Sequence, residues 1–571
     1  VHRGKGDGGQ RARDYFRKGP VLFLGGVLDL EEHRIGAKAS ELRREISRMA
    51  DYDIIVAGGG HNGLACGAVL ARAGLKVLVV ERNPWLGGGV ATREVTLPGF
   101  KHDMYGSSHV WIHANAEFVK LLPELEQQGL KYVYAKDHIT GHPYHEGPGI
   151  IVYHDIDKTC ASIAQYSEKD AKRYREIYDG FVDIKDGFVT QMFSPPTPPG
   201  LLEGAMATTE AGLEMLRNYQ MSPLDFTLEN FENPHVRSFI LGWATAPGIS
   251  PEQEGRGQLF YIMIPAIHVY GESIPVGGTA ELPHALARLI EARGGKVMTS
   301  SPVAKFVVEN GEAKGIELAD GQKLMASKAV VSNIDPTHTF LKMVEEGILE
   351  EKFLRKVRNF NWGSFTIVRA HYALNEPPKY RCSEEMNHTP FQRVFGSVED
   401  VRKQWAEISL GLPPSNPFLW VACWTKVDPT RAPEGKHTLI MDTFVPMKLA
   451  SGQSWDDLGE DYINNVELPK LREYTTNMTD GNILAAYIDT GPGIERDNPC
   501  FVNGSTTGGA MKLYQSGYLR PFPGWSQYRT PIKKLYMTGP HCHPGGAIAG
   551  AGTITAGVIL EELSLKKKSR V

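Results

Sequence analysis

Between Tyr52 and Gly88 the chain passes through an apolar run, three spaced glycines, a helical stretch, a second apolar run, an acid and a further glycine pair. That order leaves little choice of fold. Ile54 to Ala57 is apolar throughout and reads as a strand buried on both faces of a parallel sheet. Gly58, Gly60 and Gly63 supply G-x-G-x-x-G where this strand turns into a helix. The first glycine permits the tight turn, the second lets main chain approach a pyrophosphate, and the third lets the helix pack close to the strand. The helix start offers free N–H groups and a partial positive charge to phosphates. Leu64, Ala68, Leu70 and Ala71 keep one helix face apolar and small, and Gly74 ends it. Val77 to Val80 is the next strand. Glu81 follows it, 18 residues after Gly63, where a carboxylate can accept ribose hydroxyls. The segment predicts a dinucleotide site.

The rest of the chain constrains what surrounds that site. A length of 571 residues exceeds one compact core. A net charge of −4 gives no electrostatic case for nucleic acid. No apolar stretch reaches the roughly 18 residues a membrane-spanning helix needs, although a peripheral contact needs only a patch. The six cysteines are scattered with no C-x-x-C pair, which fits a reducing cytoplasm and indicates neither zinc nor a redox dithiol. Residues 1–48 carry 11 Lys+Arg against 7 Asp+Glu and read as an N-terminal extension of non-native character. The competing reading is an amphipathic arm over Leu30 to Ile46. Residues 566–571 form a basic, solvated tail.

Downstream, residues 155–245 are helical in pattern, with a proline-rich break at Pro195 to Pro199. Glu281 to Arg293 is an amphipathic helix stopped by Gly294-Gly295. Val303 to Val308, Ala313 to Leu318 and Lys323 to Ala326 form a meander about the turn pairs Asn310-Gly311 and Asp320-Gly321. A separate buried strand is expected at Ala329 to Asn333. Ser364 to Leu374, Phe418 to Thr425 and His437 to Val445 are strands of a larger sheet. Lys534 to Thr538 is a short strand, followed by a glycine-rich loop and a closing helix from Thr553 to Leu563.

Several separated blocks carry a resemblance. Glu81-Arg82 is followed by Gly87-Gly88, and further blocks lie at Pro275-Val-Gly-Gly-Thr, Val330-Val-Ser-Asn-Ile-Asp-Pro and Asp428-Pro429 through His437. The last block is Leu535-Tyr-Met-Thr-Gly-Pro-His-Cys-His-Pro-Gly-Gly-Ala-Ile-Ala-Gly. Over about residues 50–565 the chain resembles the phytoene desaturase-like branch of the flavin amine oxidase superfamily, on its broader, non-carotenoid side. Members of this family would begin near Met49. The resemblance implies an α/β fold: a discontinuous Rossmann-like FAD-binding domain (49–125, 273–340 and 525–565) with a mixed α+β substrate domain (126–272 and 341–524). The substrate domain would contain a helical insertion and a large β-sheet.

The resemblance also implies roles. Gly58, Gly60 and Gly63 would contact the FAD pyrophosphate, Glu81 the adenosine ribose, and Arg82 the adenine edge. Gly87 and Gly88 would pass the phosphates or ribityl chain, and Val303 would give main-chain bonds to adenine. Gly539 would face the pyrophosphate end of the closing helix. His543, Gly545, Gly546 and Ala547 would run beside the isoalloxazine. Gly89 stands where many members carry Arg, with Arg93 four residues later.

The function so implied is an FAD-dependent oxidoreductase that takes hydride from a largely apolar small molecule to flavin N5. Use of the flavin without net oxidation, as an isomerase or saturase, is the rival enzyme reading. A non-catalytic protein that retains FAD is the rival from another class. No second glycine fingerprint or C-x-x-C supports a disulfide reductase. Since flavin does the chemistry, catalytic side chains are hard to read; the candidates are His541, His543, Tyr105 and His109. No metal is expected at His541-Cys-His543, because no third ligand is placed by sequence. Asp103 reads as a loop cap, and Trp420, Trp424 and Phe444 as core residues on strands.

Overall fold

Ile54, Ile55, Val56 and Ala57 have no solvent exposure, so the strand Tyr52–Ala57 is central in its sheet. It pairs in parallel with Val77–Val80 on one side and with Lys323–Ser332 on the other. The computed structural model describes residues 51–257 and 259–568. The extension read at 1–48, its helical stretch at Leu30 to Ile46 and the end of the basic tail lie outside these residues.

The first sheet has seven strands. Its order runs Val303–Glu309, Glu312–Leu318, Lys323–Ser332, Tyr52–Ala57, Val77–Val80, Lys296–Met298, with Leu535–Met537 also paired to Lys323–Ser332. Three distant parts of the chain thus meet in one sheet. The meander and the buried strand expected separately at Ala329 are one strand, Lys323–Ser332. Its first half pairs antiparallel with Glu312–Leu318 and its second half parallel with Tyr52–Ala57. Ser327 and Lys328, which lie between the two expected strands, reach Asp53 from within the single strand. Helices His61–Arg72, Glu281–Ala292 and Gly550–Lys568 cover this sheet with apolar faces. The closing helix starts three residues earlier than the sequence suggests, at Gly550.

A second seven-stranded sheet is ordered Ile483–Asp489, Phe365–Leu374, His437–Pro446, Leu419–Ala422, Phe391–Val394, His138–His142, Ile150–Tyr153. It is antiparallel except where Phe391–Val394 runs parallel to His138–His142. The strand expected over Phe418 to Thr425 ends at Ala422, and Trp424 lies in a short 3-10 turn. Cys423 N–H bonds to Pro390 O there, which turns the chain out of the ladder. Trp424 is nevertheless buried. The helical segment expected at 155–245 consists of Ile156–Ala164, Glu168–Met192, Pro199–Met206, Glu210–Gln220, Pro223–Asn230 and Pro234–Thr245. Ser167, Thr209, Ser222 and Asn233 cap four of these by accepting first-turn N–H groups.

Asp103 is not a loop cap. It sits on the short strand His102–Asp103, almost without exposure, and pairs with Arg431 at 2.5 Å. It also accepts from Thr92 Oγ1 (2.7 Å) and Thr279 N (2.9 Å). Arg431 continues the network to Asp428 at 3.1 Å and to Pro275 O at 2.9 Å, while Gly277 N donates to Asp428. Two sequence blocks with no obvious chemistry, 275–279 and 428–437, are therefore one buried ionic joint. It locks the segment after the second glycine cluster against the second sheet.

Candidate active site

One cavity of about 1000 Å³ runs from the first glycine turn to the face of the second sheet. Its near end is built by the nucleotide unit. Gly58 has φ +103°, open to glycine but strained for other residues. Gly60 caps the helix without a side-chain bond, so Asn62 and Gly63 N–H, in the first helical turn, lack intrahelical partners. A Cβ on Gly63 would lie 2.3 Å from Gly58 O, so only glycine lets this helix sit against the turn. The second glycine cluster is hydrogen-bonded directly to the first: Gly87 N donates to Gly59 O (2.9 Å) and His61 N donates to Gly87 O (3.1 Å). Asn333, from the end of the central strand pair, donates to Gly58 O at 3.2 Å.

Glu81 lines this end and is almost fully buried. Its carboxylate accepts from Gly59 N and Asn83 N, both at 2.8 Å. Burial pushes its pKa up, and those two main-chain bonds oppose the shift. Each oxygen keeps a second lone pair for a hydroxyl. Arg82, exposed at the rim, and Val303 also line the cavity, as do Gly58, Gly60 and Gly88. Gly63, Gly87, Gly539 and Gly545 stand behind the wall rather than on it. Arg93 does reach the cavity; it pairs with Asp497 at 2.6 Å and lies over the Trp85 ring.

At the middle of the cavity, His541, His543, Gly546 and Ala547 form the wall. A Cβ added to Gly546 would meet nothing within 4 Å, so the loop presents open space there, as a flat ring requires. Arg520 holds this loop in place. It is buried and donates to the carbonyls of Gly508 (2.8 Å) and Pro540 (2.7 Å). His541 and His543 each keep Nε2 buried and without a partner. Burial lowers both rings to about 4, so they are neutral near pH 7. Tyr105 lines the cavity edge-on to Phe501 at 4.9 Å. His109 also touches the cavity, but Tyr132 hydroxyl engages its Nδ1 (3.0 Å) and Thr279 hydroxyl its Nε2 (2.7 Å). Neither nitrogen is left for a substrate.

The far end is formed largely by residues that sequence reasoning did not single out. Phe188 and Met192 come from the helical segment, Met263 and Ile267 from helix Leu259–Tyr270, and Phe391 from the second sheet. Trp420 and Phe444, read from the sequence as core residues, line the cavity from that sheet as well. Arg393, Glu272, Arg369 and Asp442 bring charge to this wall. Arg369 and Asp442 pair with each other, and Nε of Arg369 donates at 2.8 Å. Among the described residues no group of three or more His, Cys, Asp or Glu is placed to hold a metal, and no helix is long and apolar enough to cross a membrane.

The family model for flavin containing amine oxidoreductase matches residues 63–557. One of the limonene dehydrogenase subunits of Castellaniella defragrans is 30% identical over 543 residues, covering 91% of this chain and 96% of that protein. Pyridine nucleotide-disulfide oxidoreductase domain-containing protein 2 of Mus musculus is 27% identical over 568 residues, covering 90% of this chain and 94% of that protein. The crystal structure of an oxidoreductase from Methanosarcina mazei superposes with a TM-score of 0.55 at 19% identity, over 89% of this chain and 99% of that one, which shows a shared fold.

Proposed function

The chain belongs to the flavin containing amine oxidoreductase family and is a flavin-dependent oxidoreductase; from that premise we propose that its flavin is FAD and that it dehydrogenates a largely apolar small molecule. The observation that carries this reading is the continuity of one cavity from a side-chain-free glycine turn, past Glu81 and Val303, to the open face of Gly546. A mononucleotide would leave the Glu81 and Val303 end without a ligand, whereas an adenosine fills it. Bound there, FAD would supply a two-electron acceptor for hydride.

The protein's own part is placement. The helix start and glycine turn would hold the diphosphate, and Glu81 would accept a ribose hydroxyl. Arg520 keeps the 540–547 loop against the ring space by bonding main-chain oxygens only. The neutral His541 and His543 line that space. Phe188, Met192, Met263, Ile267, Phe391 and Phe444 would bury the substrate body and exclude water. The six free cysteines accord with a reducing cytoplasm. Leu201, Leu202 and Leu213, exposed on two neighbouring helices, are the apolar residues through which the protein would touch a membrane surface.

Anaerobic mixing of the yellow protein with a panel of apolar alcohols, amines and alkenes tests the reaction class. Bleaching of the visible flavin band by a member of the panel, with formation of its dehydrogenated product, is the expected result. Conversion of substrate without any net oxidation overturns the assignment.

A further inference from the structure

Arg393 is a buried cation that forms no ion pair with any described residue. It lies on the strand Phe391–Val394, is 6% exposed, and lines the far end of the cavity. Its side chain makes no hydrogen bond or ion pair with any described residue, and Nε and Nη1 are buried without partners. The nearby acids Glu272 and Asp442 attract it only from a distance, without a hydrogen bond or ion pair. Asp442 is committed to Arg369, and Glu272 is not within ion-pair distance and has an unpartnered Oε1 of its own. What Arg393 has instead is aromatic. Its guanidinium lies 3.5 Å from the Trp243 ring centroid, 5.1 Å from Phe391 and 5.5 Å from Trp420. Stacking of this kind offsets part of the desolvation of a guanidinium but leaves its N–H groups unsatisfied.

The two indoles add to the same pattern. Trp243 and Trp420 line the cavity, and Nε1 of each is buried without an acceptor. The wall therefore gathers four unpartnered donor atoms on three side chains. Such a set matches an oxygen anion, because each donor lacks what a carboxylate supplies. It also disfavours a protonated amine, which would meet a like charge.

We propose that Arg393, flanked by Trp243 and Trp420, receives a carboxylate at one end of an otherwise apolar substrate. The inference rests on the reading of this cavity as the substrate chamber of a flavin enzyme, and it narrows the substrate class to apolar acids. Burial lowers the Arg393 pKa to about 9 and pushes the Glu272 carboxyl up to about 7, so the cation persists at neutral pH with a weakened acid beside it.

Three probes of matched shape test it: phenylbutyrate, phenylbutanol and phenylbutylamine, titrated calorimetrically into the purified flavin-loaded protein. The acid is expected to bind about ten- to a hundredfold more tightly than the alcohol, as a charge-assisted hydrogen-bonded pair requires, with the amine weakest. Arg393→Met should abolish the preference for acid over alcohol. Arg393→Lys keeps the charge without the planar fork and should lose about tenfold for the acid. It decides the matter if the methionine variant does not fold. Equal binding of acid and alcohol by the wild type, binding of neither, or an undiminished acid preference in either variant overturns the proposal. Flavin content is read first: a colourless wild type defeats the flavin reading itself, whereas a yellow protein without acid preference defeats only this inference.

Discussion

Gly63→Ala adds one methyl group at the point where the first helix leans on the glycine turn. That carbon would stand 2.3 Å from Gly58 O and 2.9 Å from Asn333 Nδ2. An unstrained carbon–oxygen contact is about 3.3 Å or more, so turn and helix must separate by roughly 1 Å. Overpacking of this size costs about 1–3 kcal/mol of stability. The same displacement moves the first-turn N–H groups off the diphosphate and disturbs the bond from Asn333 to Gly58 O. Charge-assisted bonds of this kind are worth about 1.5–3 kcal/mol each, so FAD affinity should fall about ten- to a hundredfold. Titration of the apoprotein with FAD, followed by quenching of flavin fluorescence, measures it. Gly74→Ala is the control. Gly74 has φ +83° and open space around its missing Cβ, so the change strains only the helix end, by about 1 kcal/mol, and should lower the melting temperature without touching the affinity. Wild-type FAD affinity in Gly63→Ala, or equal loss in both variants, would refute the reasoning.

Two further outcomes follow from the ionic joint and the buried histidines. Arg431→Met strands Asp103 and Asp428 without their cation and should cost about 3–5 kcal/mol in denaturant unfolding; adding Asp103→Asn should recover part of that loss, and a cost below about 1 kcal/mol would show that the joint is not structural. Burial holds His61, His102, His268, His541 and His543 at about 4, below the ordinary 6.5. The unfolded chain therefore takes up protons first as pH falls, and stability should drop between pH 6.5 and 4. Glu272 and Asp489, raised by burial to about 7 and about 6, act in the opposite sense, since their contribution is lost as pH rises. His109, His113, His142, His371 and His437 are lowered by burial too, against only Glu81 and Glu467 further raised, so ten histidines against four carboxyls leave acid lability dominant. A melting temperature that holds or rises over that interval contradicts the balance.

The nucleotide unit is legible in the sequence because its logic is local. Strand, turn, helix and acid follow one another within a short segment, and Gly63 and Gly88 answer to contacts in it, with Gly58 O and Gly60 Cα. Lys323–Ser332 reads as two strands because one strand changes neighbours midway, which no local pattern records. Trp424 leaves its strand through a main-chain bond from Cys423 to Pro390, a contact between distant segments. Asp103 and Arg431 are far apart in the chain, so neither announces the other. Arg393 sits in Phe-Gln-Arg-Val, a stretch without alternation that does not say whether the arginine faces water or a chamber. Only the approach of Trp243, from a helix, and Trp420, from a neighbouring strand, gives it meaning. A buried cation among aromatics is the signal a sequence cannot carry.

The assignment of the site hangs on one continuous cleft, glycine-lined at one end and open at Gly546 in its middle, that holds a complete flavin dinucleotide. Mass analysis of the cofactor released on denaturing the purified protein tests this directly. The expected result is FAD, one molecule per chain. Release of a flavin mononucleotide, or a colourless protein that FAD cannot reconstitute, would contradict it.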